Sequence, residues 1–335
     1  MGKSVPGPMD VHEMAAYAGA EKAIVDSIGM TYAVLERYEH PAASISGGAD
    51  SDVVLDLCSR LDKERKLRYI WFDTGLEYRA TKEHLAELEK RYGVTIERVL
   101  AIKSIPTCCH EYGLPFMSKF ASAQIEKLQR NGFQWEDEPF EALLQRYPGC
   151  PSALKWWCDR YGKREWNIGN IRHLKEFLIR EPPEFPISAK CCEWAKKRPA
   201  LAWARENGAD VQILGLRKSE GGVRAATKHC LTSGAVDLFR PIFWYTDADR
   251  AKYEKLFGIV HSDCYTVYGL TRTGCVGCPF DRTLASDMEA VERHEPGLYR
   301  AARNVFGRTW GYTRRFRRFA GQTRASALRE KIRDL

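Results

Sequence analysis

No stretch of this 335-residue chain is apolar for long enough to cross a bilayer, which argues against any membrane role for helices. Its first residues, Met1-Gly2-Lys3-Ser4-Val5-Pro6, lack the apolar core of a secretory signal, so a cytoplasmic location is expected. Internal repeats and low-complexity linkers are missing too. That leaves one large domain with insertions, or two domains, with enough chain to bury a sizeable core. Acidic residues are in deficit: 52 Lys and Arg against 44 Asp and Glu give a net charge of +8. Such a balance favours an anionic partner, with nucleotide and nucleic acid both eligible. Cysteine, by contrast, is plentiful. Eleven of them in a reducing compartment point away from a disulfide framework and toward metal, cluster or redox chemistry.

The most informative stretch is Ser46-Gly47-Gly48-Ala49-Asp50-Ser51. It follows a short apolar run, Ala42 to Ile45, and precedes a helix-like segment, Val53 to Cys58. Strand, glycine turn and helix in that order let successive backbone N–H groups face one concavity, and the helix adds its positive N-terminal end. Ser46 and Ser51 add hydroxyls. No lysine closes the turn, so it is not the nucleoside-triphosphate loop that ends Gly-Lys-Ser/Thr. A plain strand-to-helix turn with Asp50 or Ser51 as N-cap is the alternative. The pattern resembles the PP-loop of ATP pyrophosphatases, which cleave between the α- and β-phosphates and hold pyrophosphate in the turn.

Further elements follow the same rhythm. Helical spacing runs from Glu21 to Tyr38; Leu67–Phe72 reads as a strand ending at Asp73-Thr74-Gly75; Glu77–Tyr92 reads as a helix stopped by Gly93; and Val94–Leu100 reads as a third strand. Strands alternating with helices imply an α/β fold with a doubly wound, mostly parallel sheet, whose ligands bind beyond the carboxyl ends of the strands. Residues 104–186 are rich in aromatics and helical spacings without strands, and read as a helical insertion. Trp194–Asn207 reads as helix and Val211–Leu214 as strand, followed by the loop Gly215–Gly222. Thr246 opens a capped helix that stops at Gly258. The expected domains are 1–103, the PP-loop half of a nucleotide-binding domain; 104–186, the insertion; 187–285, its second half; and 286–335, a basic helical extension. In that extension Arg314-Arg315-Phe316-Arg317-Arg318-Phe319 interleaves charge with rings. It suits either a single-stranded nucleic acid or an amphipathic helix that packs Phe316 and Phe319 on the domain.

Cys191-Cys192 and Cys275-Val276-Gly277-Cys278-Pro279 stand out among the cysteines. A Cys-x-x-Cys turn converges two thiolates on one centre, and adjacent cysteines diverge in a way that a 4Fe–4S cube tolerates better than one small ion. Four-cysteine zinc, a redox pair and buried free thiols are the rivals. The run Lys190-Cys191-Cys192-Glu193-Trp194 to Leu201 is similar to the double-cysteine motif of the phosphoadenosine phosphosulfate (PAPS) reductase family, and more narrowly to the iron–sulfur adenylylsulfate (APS) reductases. Phe72-Asp73-Thr74-Gly75, Gly215-Leu216-Arg217-Lys218-Ser219-Glu220 with Arg224, and Arg240-Pro241-Ile242 resemble further motifs of that family in the same order. The resemblance spans roughly residues 20 to 285 without the insertion and implies an adenine nucleotide alpha hydrolase-like fold.

That resemblance implies a 4Fe–4S cluster on Cys191, Cys192, Cys275 and Cys278, and an adenine nucleotide (ATP, or APS/PAPS) held by Ser46, Gly47, Gly48, Asp50, Ser51, Asp73, Thr74, Gly75, Arg217 and Arg224. Ser46, Asp50, Ser51 and Arg217 are the expected catalytic set. Asp50 is expected either to hold Mg²⁺ or to cap the helix. Reductases of the family carry an attacking cysteine near the C-terminus, and no cysteine follows Cys278 here. The full Ser-Gly-Gly-x-Asp-Ser turn is typical of relatives that convert ATP to AMP and pyrophosphate. The expectation is therefore an ATP pyrophosphatase that adenylates a substrate, a nucleic acid first, for sulfur incorporation. It resembles tRNA thiolation enzymes and the ATP pyrophosphatases of DNA phosphorothioation. A sulfur donor such as a cysteine desulfurase is the expected partner, and a homodimer is compatible. The alternatives are an APS/PAPS reductase yielding sulfite with a thiol from elsewhere, and a non-catalytic nucleotide-binding module. Cys108-Cys109-His110 is read as buried structural thiols ahead of a persulfide carrier.

Overall fold

The computed structural model describes residues 7–221 and 227–333, with the side chains of the last helix described as far as 322. Arg224 and the Arg324 side chain lie outside the described residues. The chain begins with α1 (Val11–Ala18), α2 (Lys22–Arg37), β1 (Pro41–Ser44), α3 (Ala49–Leu61), β2 (Arg68–Asp73), α4 (Arg79–Tyr92) and β3 (Ile96–Leu100). Helices α5 (Ile105–Tyr112), α6 (Lys119–Arg130), α7 (Phe140–Arg146), α8 (Pro151–Trp157), α9 (Leu174–Arg180) and α10 (Lys190–Cys192) follow. A π-helical turn over Glu193–Lys197 leads into α11 (Arg198–Glu206), where one continuous α-helix had been expected. The remainder is β4 (Val211–Leu214), β5 (Leu231–Thr232), β6 (Asp237–Phe239), α12 (Asp247–Phe257), α13 (Asp263–Thr266), α14 (Leu284–His294) and α15 (Pro296–Arg333).

These elements form two compact units. The first comprises residues 1–102, 195–276 and 293–295; the second comprises 103–194, 277–292 and 296–335. Cys191 and Cys192, expected with the second half of the nucleotide-binding domain, lie in the second unit, as does Cys278, whereas Cys275 lies in the first.

The first unit carries the expected sheet, six strands in the order β3-β2-β1-β4-β6-β5. Every neighbouring pair is parallel except β5 on β6, an antiparallel edge. From β1 the chain steps outward through β2 to β3, then returns to add β4 on the other side of β1. Ala42 faces Arg68 on one neighbour and Gln212 on the other. The strand order therefore reverses between β1 and β4, the place where sheets of this kind bind ligands, at the carboxyl ends of the strands. Helix α3 leaves β1 at that point and is buried almost all round, with Val53, Val54, Leu55, Leu57 and Cys58 sealed in the main core.

Two aspartates sit inside this core helix, four residues apart, and each is supplied with partners. Asp56 accepts hydrogen bonds from Arg60 Nε at 2.8 Å and from the hydroxyls of Tyr92 and Tyr253 at 2.9 Å. A buried carboxylate without such donors would cost several kcal/mol, about the margin on which a domain is stable. Caps finish the helices as expected: Thr246 and Asp249 form a reciprocal capping box on α12, and Gly93 and Gly258 end α4 and α12 in the left-handed conformation.

The second unit is helical over residues 104–186, and its aromatics are its core. Trp157 meets Phe133 and Trp135 edge-on, with ring centroids 5.2 and 5.9 Å away. In the same unit Phe316 and Phe319 of α15 lie 5.3 and 5.7 Å from Phe177, and Tyr312 packs on Phe116. The Arg-Arg-Phe-Arg-Arg-Phe run is thus an amphipathic helix whose rings belong to the core.

Candidate functional site

The glycine turn sits at the carboxyl end of β1, where the strand order reverses. Gly47 has φ +68°, and a Cβ there would come within 2.8 Å of Thr81 Cγ2 in α4. Only glycine fits both the left-handed backbone and the close approach. Gly48, rather than Asp50 or Ser51, is the N-cap of α3. Ser51, three residues on, fills the turn from inside. Its Oγ accepts hydrogen bonds from the N–H of Ser46 at 3.2 Å and of Gly48 at 3.0 Å, and donates to the Gly48 carbonyl at 2.8 Å. Ala49 N–H donates to the Tyr265 hydroxyl at 3.1 Å, beside Thr273. The expected donors therefore differ in state. Gly48 N–H is engaged within the turn, and among the described residues the Gly47 N–H has no partner. An arriving anion would displace Ser51 and Tyr265 oxygens rather than meet a set of idle amides.

The loop after β4 closes over the same turn. Gly215 packs so tightly on the first turn of α3 that an added Cβ would stand 3.0 Å from the Asp50 carbonyl group. This approach delivers Arg217, only 6 % exposed, to Asp50: its Nε lies 2.9 Å from Asp50 Oδ1, and its Nη1 donates to Asp247 Oδ1 at 2.8 Å. Arg250 of α12 reaches the same Asp50 oxygen at 3.2 Å and Glu254 at 3.0 Å. Two guanidinium groups thus lie on Asp50 Oδ1, and the helix is capped by Gly48 rather than by this residue. Its role here is to hold two arginines at the mouth of the turn.

The chain of charges continues inward. Glu254 Oε1 lies 3.1 Å from His261 Nε2, His261 Nδ1 lies 2.9 Å from Asp52 Oδ2, and that fully buried oxygen also meets His84 Nε2 at 3.0 Å. Burial disfavours the charged imidazole, but the bonds to Asp52 and Glu254 outweigh it and push His261 up to about 9. A folded-state value above the unfolded one contributes stability that is complete below about pH 6.5 and is lost as the pH rises through about 9. The linkage is worth on the order of 3 kcal/mol. Denaturant melts of wild type should weaken between pH 7 and 9.5, and those of His261→Asn should show a flatter profile. Parallel profiles for the two proteins would remove His261 as the source.

At the end of β2, the carboxylate of Asp73 receives Arg98 Nε at 2.9 Å and the Gly75 N–H at 2.9 Å. Burial opposes ionisation of Asp73, yet these bonds and one from Glu77 keep it below the usual carboxylate range. Glu77 is held up, chiefly by burial. Its Oε1 accepts from the Thr74 N–H at 3.0 Å and from the Thr74 hydroxyl, and its Oε2 accepts from the Leu76 N–H at 3.0 Å. Glu77 thus pins the Asp-Thr-Gly turn. Gly75 is exposed, while Thr74 is fully buried with its hydroxyl 3.6 Å from Cys275 Sγ. Sequence reasoning missed Glu77, Asp52, His84, Arg250 and His261 as parts of this site. The i, i+4 spacing of Arg250 and Glu254 was visible, but it reads as an ordinary exposed helix pair.

In the second unit Cys191, buried, and Cys192, half-buried, lie on α10, which packs against α5 with its buried Cys108 and Cys109. The neighbouring Cys109 thiol, ahead of burial, pushes the Cys191 thiol up. Gly277 fixes the approach of Cys278. It has φ +71°, its carbonyl accepts from Trp310 Nε1 at 2.9 Å, and a Cβ would stand 2.6 Å from the same ring. Among the described residues no group of three or more His, Cys, Asp or Glu side chains is placed to hold a metal ion. The residue type, a soft thiol donor, is the kind that binds thiolate-held metals.

Residues 40–132 match the sequence model of the phosphoadenosine phosphosulfate reductase domain. Similar solved structures include the PAPS reductase of Candida auris in a phosphate complex, at 13 % identity over 82 % of this chain and 98 % of that one, with a TM-score of 0.41. Candida glabrata FMN adenylyltransferase with ATP is similar at 13 % identity over 80 % and 68 %, TM-score 0.39. The U34-tRNA thiolase NcsA of Methanococcus maripaludis, with its [4Fe-4S] cluster, is similar at 13 % over 95 % and 89 %, TM-score 0.38. No curated protein matches at a significant level. The stretch from β1 into α6, with the glycine turn and the Asp-Thr-Gly turn inside it, is thus similar to the phosphoadenosine phosphosulfate reductase domain, over less than a third of the chain.

Proposed function

We propose that the protein is a PP-loop ATP pyrophosphatase that adenylates an acceptor for sulfur incorporation. The observation that carries this reading is the buried Arg217 beside the glycine turn at the strand-order switch, held by Asp50 and Asp247. Acceptor oxygen would attack the α-phosphorus of ATP; the bond from that phosphorus to the bridging oxygen would break, and pyrophosphate would leave with its charge met by Arg217, the helix end and the loop amides. A sulfide or persulfide sulfur would then displace AMP from the adenylated acceptor. Ser46, the most exposed residue of the turn, and Ser51 are placed to exchange their mutual hydrogen bonds for phosphate oxygens. Asp73 and Thr74 are engaged with Arg98 and Glu77, so their part is to shape the neighbouring turn, with Gly75 at its exposed edge. Arg217 and Arg250 engage Asp50 Oδ1, which leaves Oδ2 as the oxygen that would hold Mg²⁺.

Cys191, Cys192, Cys275 and Cys278 are the residues of the two motifs that would hold a 4Fe–4S cluster, which when bound would offer an iron–sulfur surface for carrying or positioning sulfur. Nucleic acid is the favoured acceptor, on the net charge of +8 and on the arginines 308, 314, 315 and 318, which line one groove of α15 while its rings face inward. A reductase acting on APS or PAPS is the second reading, favoured by the domain match over residues 40–132. Anaerobic incubation with ATP, and separately with APS or PAPS, decides between them. AMP and pyrophosphate from ATP, or pyrophosphate exchange into ATP, is the expected result. Sulfite from APS or PAPS would replace the proposal with the second reading, and no binding of any of these nucleotides would remove both.

A further inference from the structure

Packing settles one side of the Arg-Arg-Phe-Arg-Arg-Phe run, since Phe316 and Phe319 belong to the core. Its charged side meets a groove of about 400 Å³ between α15 and the Glu184-Phe185 loop, wholly within the second unit. Arg308, Arg314, Arg315 and Arg318 line it. Two of these are held in place. Arg308 lies over the Phe185 ring at 5.2 Å and donates to the Glu184 carbonyl at 3.3 Å. Arg315 lies over the Tyr312 ring at 5.3 Å, with its Nε 3.3 Å from Glu181 Oε2. Arg314 and Arg318 are exposed, and among the described residues neither has a carboxylate within ion-pair distance. Against the four arginines stand Glu184 in the lining and Glu181 on Arg315, so positive charge prevails.

Part of the lining carries no side chain. Gly307 and Gly311, one turn apart on α15, border the groove, although glycine weakens a helix interior. No packing contact requires glycine there. A Cβ added at Gly311 meets no neighbouring group within 4 Å, and one at Gly307 meets only Arg303 Cγ at 3.8 Å, an ordinary contact. Bare helix backbone lets a ligand come close while the guanidinium groups reach its charge.

We infer that this groove seats the sugar–phosphate backbone of a single-stranded nucleic acid, with Arg314 and Arg318 on two of its phosphates. The inference rests on the reading that the acceptor is a nucleic acid and deepens it, by naming the form of the strand and the part of it that is held. Guanidinium groups match phosphate oxygens bidentately and stay charged at any working pH. Arg314 and Arg318 break no internal ion pair to receive them. A groove of this volume takes a nucleotide-sized segment rather than the width of a duplex.

The test measures binding of the full chain to a labelled oligo(dT) strand and to a duplex across a salt series, with the melting temperature of each protein. Wild type is compared with the double variant Arg314→Ala/Arg318→Ala, with Gly311→Leu and with Arg164→Ala. Wild type should bind the strand, and the duplex at least fivefold more weakly. The double variant should lose at least tenfold in affinity for the strand. Its slope of log K against log salt should be shallower by about 1.4, the value for two phosphate contacts on a single strand. Gly311→Leu changes no charge and suits a helix better, so it should melt no lower than wild type. It should nonetheless bind at least fivefold more weakly, because its side chain occupies the groove. Arg164→Ala removes an exposed charge elsewhere on the same unit and should bind within twofold of wild type. Undiminished binding by the double variant or by Gly311→Leu would overturn the inference and leave a nucleic-acid acceptor standing. So would tighter binding of the duplex than of the strand, or an equal loss in Arg164→Ala, which would mean general charge attraction. If wild type binds neither strand nor duplex, the acceptor reading and the inference fall together.

Discussion

Replacing Arg217 with alanine is expected to lower turnover of ATP to AMP and pyrophosphate by about 10²- to 10³-fold, mostly in kcat. Arg217 is almost fully buried, and its charge is fixed by Asp50 and Asp247 before any substrate arrives. A preorganised cation in a partly desolvated site is worth more to a departing diphosphate than one that must be recruited from solvent. Loss of fold is the competing explanation, and the geometry limits it. Breaking a buried ion pair costs about 3–5 kcal/mol when the surviving charge is stranded. Here Asp50 keeps Arg250 at 3.2 Å, and the Asp247 side chain is 86 % exposed and returns to water. The stability loss should therefore stay nearer 1–2 kcal/mol, small enough for the variant to be assayed folded. Arg217→Lys keeps the charge but loses the fork that spans two carboxylates, so it should recover only part of the rate. A rate within threefold of wild type for Arg217→Ala would show that the arginine is an element of the fold alone.

What could be read from the sequence, and what could not, divides by the range of the interactions. The strand, glycine turn and helix around Ser46–Ser51 are local, and so are the caps at Gly93, Thr246 and Gly258; each was legible from residues a few positions apart. The edge strands β5 and β6 were not, because Leu231–Thr232 and Asp237–Phe239 are too short to show an alternating pattern. The π-helical turn at Glu193–Lys197 is likewise invisible to a 3.6-residue period. Within the site, the sequence named Asp50 and Arg217 but could not pair them, since 167 positions of chain separate the two. The partnership exists because β4 lies beside β1, which only the sheet order decides. Asp52 would pass for a first-turn acid of α3; its burial between His84 and His261 is a product of α4 and of the segment after α12.

Gly47→Ala should carry the largest stability cost among the glycine substitutions of the turn, and two separable causes produce it. A β-carbon at φ +68° costs roughly 1–2 kcal/mol from backbone strain alone. Its approach to 2.8 Å of Thr81 Cγ2, on a buried residue of α4, adds roughly 1–3 kcal/mol because a packed core gives way poorly. The total of about 2–5 kcal/mol corresponds to a fall in Tm of about 5–15 °C. Gly93 separates the causes. Its φ is +61°, yet nothing lies within 4 Å of its added Cβ, so Gly93→Ala should show the strain alone. Thr81→Ser supplies the complementary control, since it deletes Cγ2 while retaining the hydroxyl. In that background Gly47→Ala should cost about 1–2 kcal/mol less than in wild type. If Gly47→Ala melts within a degree of wild type, the turn is free to open, and a rigid cradle for the leaving diphosphate is not what this loop provides. If it melts low, with equal cost in both backgrounds, strain rather than contact with α4 holds the turn in shape. The phosphate site would then be set by the turn's own backbone rather than by the packing of α4 beneath it.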